Sequence, residues 1–269
     1  MSFPGSVLLS AGDILNQSAT KVLPLGTRGY TRDGRVFRYA RNGGTALKAG
    51  YLVQSSVPLT GDLALKQGAT KLSANTTKIK IITAANAVMS TINAYADGYF
   101  YCYSTTTAEG AGLYAQIKSH STESATATGL VTINFADSGR LYSGIGTTYL
   151  ASTIGAKVAV MRNPYDKVVV KPAGAATALA VGVPVRPITA SYYFWLQTWG
   201  ACPLRVGKVH TIGYNIGLGT DATAGIAQGA TVGTTFTKTT WGRGINAVGS
   251  AMTTGVAGEA RLVYLKLAP

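Results

Sequence analysis

Sustained helical periodicity is scarce in this chain, and that constrains its fold more than any other feature. Short runs instead alternate in hydrophobicity or gather β-branched and aromatic residues, and most end at glycine or at a Pro, Asn or Asp turn. Residues 78–83 (KIKIIT) begin by alternating. Residues 99–103 (YFYCY) put aromatic rings on one face, and 114–118 (YAQIK) can return antiparallel to them. Residues 130–135 (LVTINF) alternate and stop at Asp137. Further runs cover 157–162, 167–171, 192–198 and 260–267. The last places Arg261, Val263, Leu265 and Leu267 on one face and Leu262, Tyr264 and Lys266 on the other. Turns about every ten residues predict an all-β chain of sandwich or barrel type with little helix. Residues 83–96 (TAANAVMSTINAYA) are the one stretch that also reads as a short helix.

A small motif recurs, an apolar residue followed three positions later by glycine: Leu47 and Gly50, Leu65 and Gly68, Leu179 and Gly182, Ile226 and Gly229. It reads as a tight turn, with the apolar residue pinned to the core and the glycine in a left-handed conformation. The spacings are irregular, so the motif is a reused local turn and not a solenoid repeat. Organisation along the chain reads as three segments: residues 1–54 as a basic arm with a first hairpin, 55–171 as a β domain, and 172–269 as a second β domain or a continuation of the same sandwich. The glycine-rich stretch 242–258 reads as a surface loop or an extended arm.

Charge is concentrated near the start. The net charge is +14, and 11 of the 24 basic residues fall within the first 80 positions. Residues 27–54 carry Arg28, Arg32, Arg35, Arg38, Arg41 and Lys48 against the single acid Asp33, interleaved with Tyr30, Phe37 and Tyr39. As a strand, Arg35, Phe37, Tyr39 and Arg41 share one face, and Val36, Arg38 and Ala40 share the other. Each face mixes charge with apolar surface, which fits an edge or arm whose two faces meet partners better than a one-sided core. The candidate partner-binding residues are therefore Arg28, Arg32, Arg35, Phe37, Arg38, Tyr39, Arg41 and Lys48. Arginine makes bidentate bonds to carboxylates and stacks on rings, so an acidic protein neighbour ranks first. A solvated edge strand ranks second. Direct nucleic-acid contact ranks third, because basic residues among aromatics also suit a phosphate backbone.

Residues that could do chemistry are sparse. The histidines His120 and His210 lack a neighbouring acid and nucleophile in any recognisable motif. There is no HExxH, no paired Cys/His spacing and no Asp-rich loop, so no metal site and no cofactor is expected. The acids stand mostly at turns, as in Asp33-Gly34 and Asp97-Gly98, where turn formation accounts for them. Cys102 and Cys202 lie a hundred residues apart in strand-like runs and read first as buried free thiols, with a single disulfide between them as the alternative. Only 13% of residues are charged, about half the usual share, so much of the surface must be small, polar or apolar. An assembly that hides such surface against neighbours tolerates it. The start MSFPGSVLLSAGD has no basic leader region, and no apolar run reaches membrane-spanning length, so no membrane association is expected.

The run from Asp33 through Gly50 (DGRVFRYARNGGTALKAG) resembles the N-terminal part of head-associated structural proteins of tailed bacteriophages. Residues 163–170 (NPYDKVVV), 181–185 (VGVPV) and 192–200 (YYFWLQTWG) are similar to the same group. The resemblance implies a non-enzymatic virion protein, made in the host cytoplasm and placed on the capsid. It implies a decoration (cement) protein that is β-rich, homo-oligomeric with a trimer favoured, and bound to the major capsid protein at inter-subunit junctions. The alternative is a phage tail or fibre-type receptor- or glycan-binding protein, in which Trp195, Trp199 and Trp241 could stack on sugars.

Overall fold

A computed structural model of the chain describes residues 5–58, 65–67, 77–82, 89, 91–103, 114–122, 130–136, 157–219, 222–229 and 247–269. The described chain is almost entirely β, as its alternating runs require, with one five-residue helix. In chain order the elements are β1 (Ser6–Leu8), α1 (Ala11–Leu15), β2 (Gln17–Ser18), β3 (Arg28–Tyr30), β4 (Val36–Arg41) and β5 (Val53–Gln54). Then come β6 (Leu65–Gln67), β7 (Lys78–Ile82), β8 (Tyr99–Tyr103), β9 (Tyr114–His120), β10 (Leu130–Phe135) and β11 (Lys157–Met161). The chain closes with β12 (Val169–Val170), β13 (Ala180–Pro184), β14 (Tyr193–Arg205), β15 (Asn215–Gly217), β16 (Gln228–Gly229), β17 (Ala247–Ala251) and β18 (Ala260–Lys266).

The three consecutive segments expected from sequence give way to two compact units, one inserted into the other. Residues 1–57 and 164–269 form unit 1, and residues 58–163 form unit 2. The insertion leaves β5 and rejoins before β12, and those two strands pair antiparallel, with Gln54 opposite Val169. Adjacent antiparallel strands bring the entry and exit of an insertion together, a placement that leaves the host sheet undisturbed.

Unit 2 is a closed antiparallel barrel in the order β10-β7-β6-β11-β8-β9. Alternation builds it: Ile79 and Ile81 of β7 and Ala115 and Ile117 of β9 point inward, while Lys78, Lys80, Gln116 and Lys118 face out. Phe100, Phe135, Tyr95 and Met89 fill the interior. The turn at 91–97 is fastened by a buried histidine. His120 Nε2 accepts the Tyr95 N–H at 3.2 Å, and its Nδ1 donates to the Ser121 carbonyl at 2.7 Å. Residues 91–97 are turns and not a helix; 83–88 and 90 of that expected helix lie outside the described residues.

Unit 1 is organised by β14, a 13-residue strand shared among four neighbours. β4 pairs along Tyr193–Trp199, while β2, β13 and β18 follow one another at 193–194, 196–197 and 199–205. A bulge between Gln197 and Trp199 lets both faces of this long strand enter cores. Residues 247–251 of the expected glycine-rich loop are strand β17, paired to β15 and β18. Helix α1 was not apparent from periodicity because it is barely one turn long. Ser10 and Asp13 form a capping box at its start, each side chain bonding the other's backbone N–H.

The recurring turn is present, but in different copies from those the sequence suggests. In unit 1 two chain segments cross as a pair of bridged turns, and this arrangement occurs twice. Leu47 and Ile188 exchange backbone hydrogen bonds at 2.9 and 3.0 Å; His210 and Gly255 exchange theirs at 3.3 Å. Three residues further on, Gly50, Ser191, Gly213 and Gly258 all have positive φ, between 64° and 84°. Each then donates its N–H four residues upstream of the opposite bridge residue, to Pro184, Gly43, Ala251 and Val206 respectively. Of the sequence motif's copies only Leu47–Gly50 belongs to this set. Gly182 lies inside β13 and Gly229 inside β16, and Gly68 lies outside the described residues. Gly182 is small for another reason: a Cβ there would sit 2.5 Å from the Gln197 carbonyl of β14.

Candidate partner-binding face

Strand β4 is the centre of the basic segment, and it lies inside the sheet, hydrogen-bonded to β3 on one side and β14 on the other. The two faces divide as their alternation requires. The odd-numbered face is core at its centre and half-exposed at its ends: Phe37 is fully buried and Tyr39 packs with Trp195, Leu9, Ile14 and Leu25, while Arg35 and Arg41 flank them half-buried. The even-numbered face is covered at one end, where Ala40, Phe194 and Leu196 join Leu47, Val53, Val181 and Ile188. The other end is more open: Val36 is buried there, but Arg38 is half-exposed. The segment is therefore no free arm. Both faces of β4 do meet partners, but most of those partners belong to the same chain.

The open end is built by register. Tyr30 of β3 pairs with Val36 of β4, Val36 with Trp199 of β14, and Trp199 with Lys266 of β18, a row across four strands. Directly opposed side chains share a face. Two residues along, Arg28 of β3 stands directly opposite Arg38 of β4. On β18, Leu262 and Tyr264 project to the same side as Lys266. The Tyr264 ring meets Trp199 edge to face, centroids 5.8 Å apart. Tyr30, Leu262 and Tyr264 keep 36–39% of their surface exposed.

Electrostatics distinguishes the arginines. Arg35 is neutralised by Asp33, its Nε 2.8 Å from the carboxylate, and its guanidinium lies over the Phe37 ring. The Thr31 hydroxyl, and then Arg35, hold the Asp33 carboxyl below its usual range. Arg41 stands 3.9 Å from the buried Asp166 and over the Tyr193 ring. Arg28 and Arg38 have no Asp or Glu partner among the described residues. Arg28 Nη1 donates to Ser6 Oγ at 3.1 Å; Arg38 donates to the Gly26 carbonyl at 3.3 Å and to a terminal main-chain oxygen of Pro269 at 3.0 Å. Of the two, Arg28 is the one with a neutral partner alone. Like charges placed directly across a strand pair cost ~0.2–1 kcal/mol, which an external anion would recover. Arg32 is exposed in the 31–35 turn, and Lys48 is exposed on the first bridged turn, its amine 5.8 Å from the Tyr51 ring.

The structure thus sorts the expected site residues. Phe37 and Tyr39 belong to the core, Arg35 and Arg41 to internal ion pairs, and Arg28 and Arg38 to the open face. Trp199, Leu262, Tyr264 and Lys266 complete that face from more than 150 residues away in sequence. The Leu-Tyr-Lys alternation of β18 was the available signal for them, because a strand facing solvent on that side had no need of Leu262 or Tyr264. Trp195 is core, and Trp241 lies outside the described residues. Cys202 is a buried free thiol, pushed up to about 12 by burial. No His/Cys/Asp/Glu cluster able to hold a metal occurs among the described residues, and none of their helices is long and apolar enough to cross a membrane. No family model matches the chain, nor does any curated protein or solved structure. The likeness to phage head proteins rests on the residues quoted above.

Proposed function

We propose that this chain is a non-enzymatic structural protein of a virion, docking on a capsid through the open face of its β3-β4-β14-β18 sheet. One observation carries the reading. Arg28 and Arg38 are held opposite each other without an Asp or Glu partner among the described residues, beside the half-buried Trp199 and the more exposed Tyr264 and Leu262. That combination matches the composition of protein interfaces, which are enriched in Trp, Tyr and Arg around an apolar centre. The complementary partner is a shell-subunit surface with carboxylates flanking an apolar patch. The resemblance to phage head proteins adds the decoration role, with a homo-oligomer, a trimer favoured, at junctions between major capsid subunits. A nucleic acid satisfies the arginines equally well, but the two aromatic rings engage each other edge to face and so offer fewer free faces to bases.

The test is reconstitution. The purified chain, mixed with capsids lacking it, is expected to co-sediment at a fixed copy number per shell subunit. Particles that bind none of it would overturn the reading. DNA affinity that falls by orders of magnitude between low and physiological salt, without capsid binding, would point to nucleic acid instead.

A further inference from the structure

On the opposite face of the same sheet, the segment 7–23 folds back over Tyr39, Tyr193 and Trp195 and leaves a cleft of about 250 Å³. We infer that this cleft binds a single neutral sugar residue, a hexose or N-acetylhexosamine. The inference is independent of the shell-docking face.

The walls supply half of the argument. Tyr39 and Tyr193 stack with centroids 5.9 Å apart and planes 12° from parallel, and Trp195 meets Tyr39 at 5.3 Å and 65°. Tyr193 is the half-exposed ring of the three, and Tyr39 and Trp195, 5% and 7% exposed, back it as a rigid apolar floor of the cleft. Tyr39 is held in place because its hydroxyl accepts the Val22 N–H at 3.2 Å. A pyranose has a C–H-rich face that suits such a wall and a hydroxyl edge that needs polar groups.

The rim supplies the other half. Asp13, Asn16 and Gln17 line the same cleft. The Asp13 carboxylate takes the Ser10 N–H and hydroxyl on Oδ2 alone, leaving Oδ1 as an acceptor. Those same bonds hold its carboxyl below the usual range, so it is charged at neutral pH. Gln17 Oε1 accepts the Thr189 N–H at 2.9 Å, which fixes the amide and leaves its NH₂ as a donor. A carboxylate acceptor and one oriented amide beside an aromatic wall match vicinal hydroxyls. The carboxylate also disfavours acidic sugars, which sets the ligand as neutral. Drug-sized sites occupy ~300–1,000 Å³, so this cleft admits one ring and not a chain of them.

Gln17→Glu is the decisive variant, because it keeps an acceptor for Thr189 and replaces the amide donor by a second carboxylate beside Asp13. The full chain would be titrated with glucose, galactose, mannose, N-acetylglucosamine and glucuronate, following the Trp195 indole signal by NMR. At least one neutral sugar is expected to shift that signal, with glucuronate weaker. Gln17→Glu should weaken binding about tenfold or more while the melting temperature is retained. Trp195→Phe, which keeps an aromatic ring but lacks the indole reporter and is therefore titrated by calorimetry beside the wild type, should bind more weakly and remain folded. No shift with any sugar at tens of millimolar would overturn the inference. So would sugar binding unchanged in Gln17→Glu, or a cleft that responds only to peptides.

Discussion

The two faces of one sheet make opposite use of the same strands. On β4 and β14, Phe37, Tyr39 and Trp195 point into a core closed over by the chain's own N-terminal segment. One residue out of phase, Val36, Arg38 and Trp199 point to a surface that is only partly covered. The closed face is held by burial and ring contacts. The open face keeps a partly exposed aromatic pair and two guanidinium groups with no Asp or Glu partner among the described residues. The lesson is that alternation of arginine with aromatics in a strand does not identify an arm. It can equally identify a central strand between two layers, one of which runs out before the strand ends.

Removing the strand altogether is the harshest way to break this contrast. Deleting residues 1–54 removes β1 to β5 and α1, so β14 loses β4 as its neighbour and the core loses its Leu9, Ile14 and Leu25 layer. Unit 1 is expected to lose its cooperative unfolding transition by circular dichroism. A deletion variant that still melts cooperatively with unit 1 intact would return the segment to the status of an arm.

Single residues on the two faces should then differ by severalfold in stability. Phe37→Ala, at a fully buried position, should cost ~3–5 kcal/mol in urea denaturation. Tyr264→Ala, more than a third exposed on the other face, should cost ~1 kcal/mol or less. Equal losses would mean that the open face is structural after all.

Much of this architecture was legible in the sequence, and the failures have identifiable causes. Period-two alternation marked β7, β9, β10 and β18, and the pairing of β8 with β9 follows from two adjacent runs across one loop. The insertion was not legible, because composition is similar on both sides of its boundaries and only Pro58 and Pro164 stand at the junctions. The alternation of residues 35–41 was read with the right faces. What it could not show was that residues 9–25 return to bury one of them. The bridged turns were hidden because their bridge residue is Leu47, Ile188, His210 or Gly255, with only the backbone conformation in common. Trp199 and Tyr264 were separately visible as strand residues, but only the β14–β18 register brings them together.

The barrel of unit 2 provides a polar counterpart to the Phe37 core. His120 is buried and neutral, its pKa lowered below 6.5 chiefly by burial, with the bond to the Ser121 carbonyl opposing the shift. A histidine with a depressed folded pKa stabilises fully above the unfolded pKa and loses that contribution as pH falls through the folded one. Unit 2 should therefore weaken as pH drops below about 6.5, where the unfolded chain takes up the proton first. Replacement by Gln should flatten this dependence in melting curves recorded from pH 7.5 to 5. A dependence unchanged in the variant would assign it to other groups.

The smallest effect is expected at the arginine pair. Arg28→Ala removes a like charge opposite Arg38, so stability should change by no more than ~0.5 kcal/mol, with the sign favouring the variant at low salt. A loss of several kcal/mol would show that the pair is held for structure and not for a partner.

Docking through the open face can be tested by one comparison. The full chain and its Arg28→Glu/Arg38→Glu variant would be co-sedimented with capsids at equal concentration, after their melting temperatures are shown to agree. The wild type is expected to saturate the particles and the variant to lose binding by at least about tenfold (~1.4 kcal/mol). Equal capsid binding by a folded variant would contradict it.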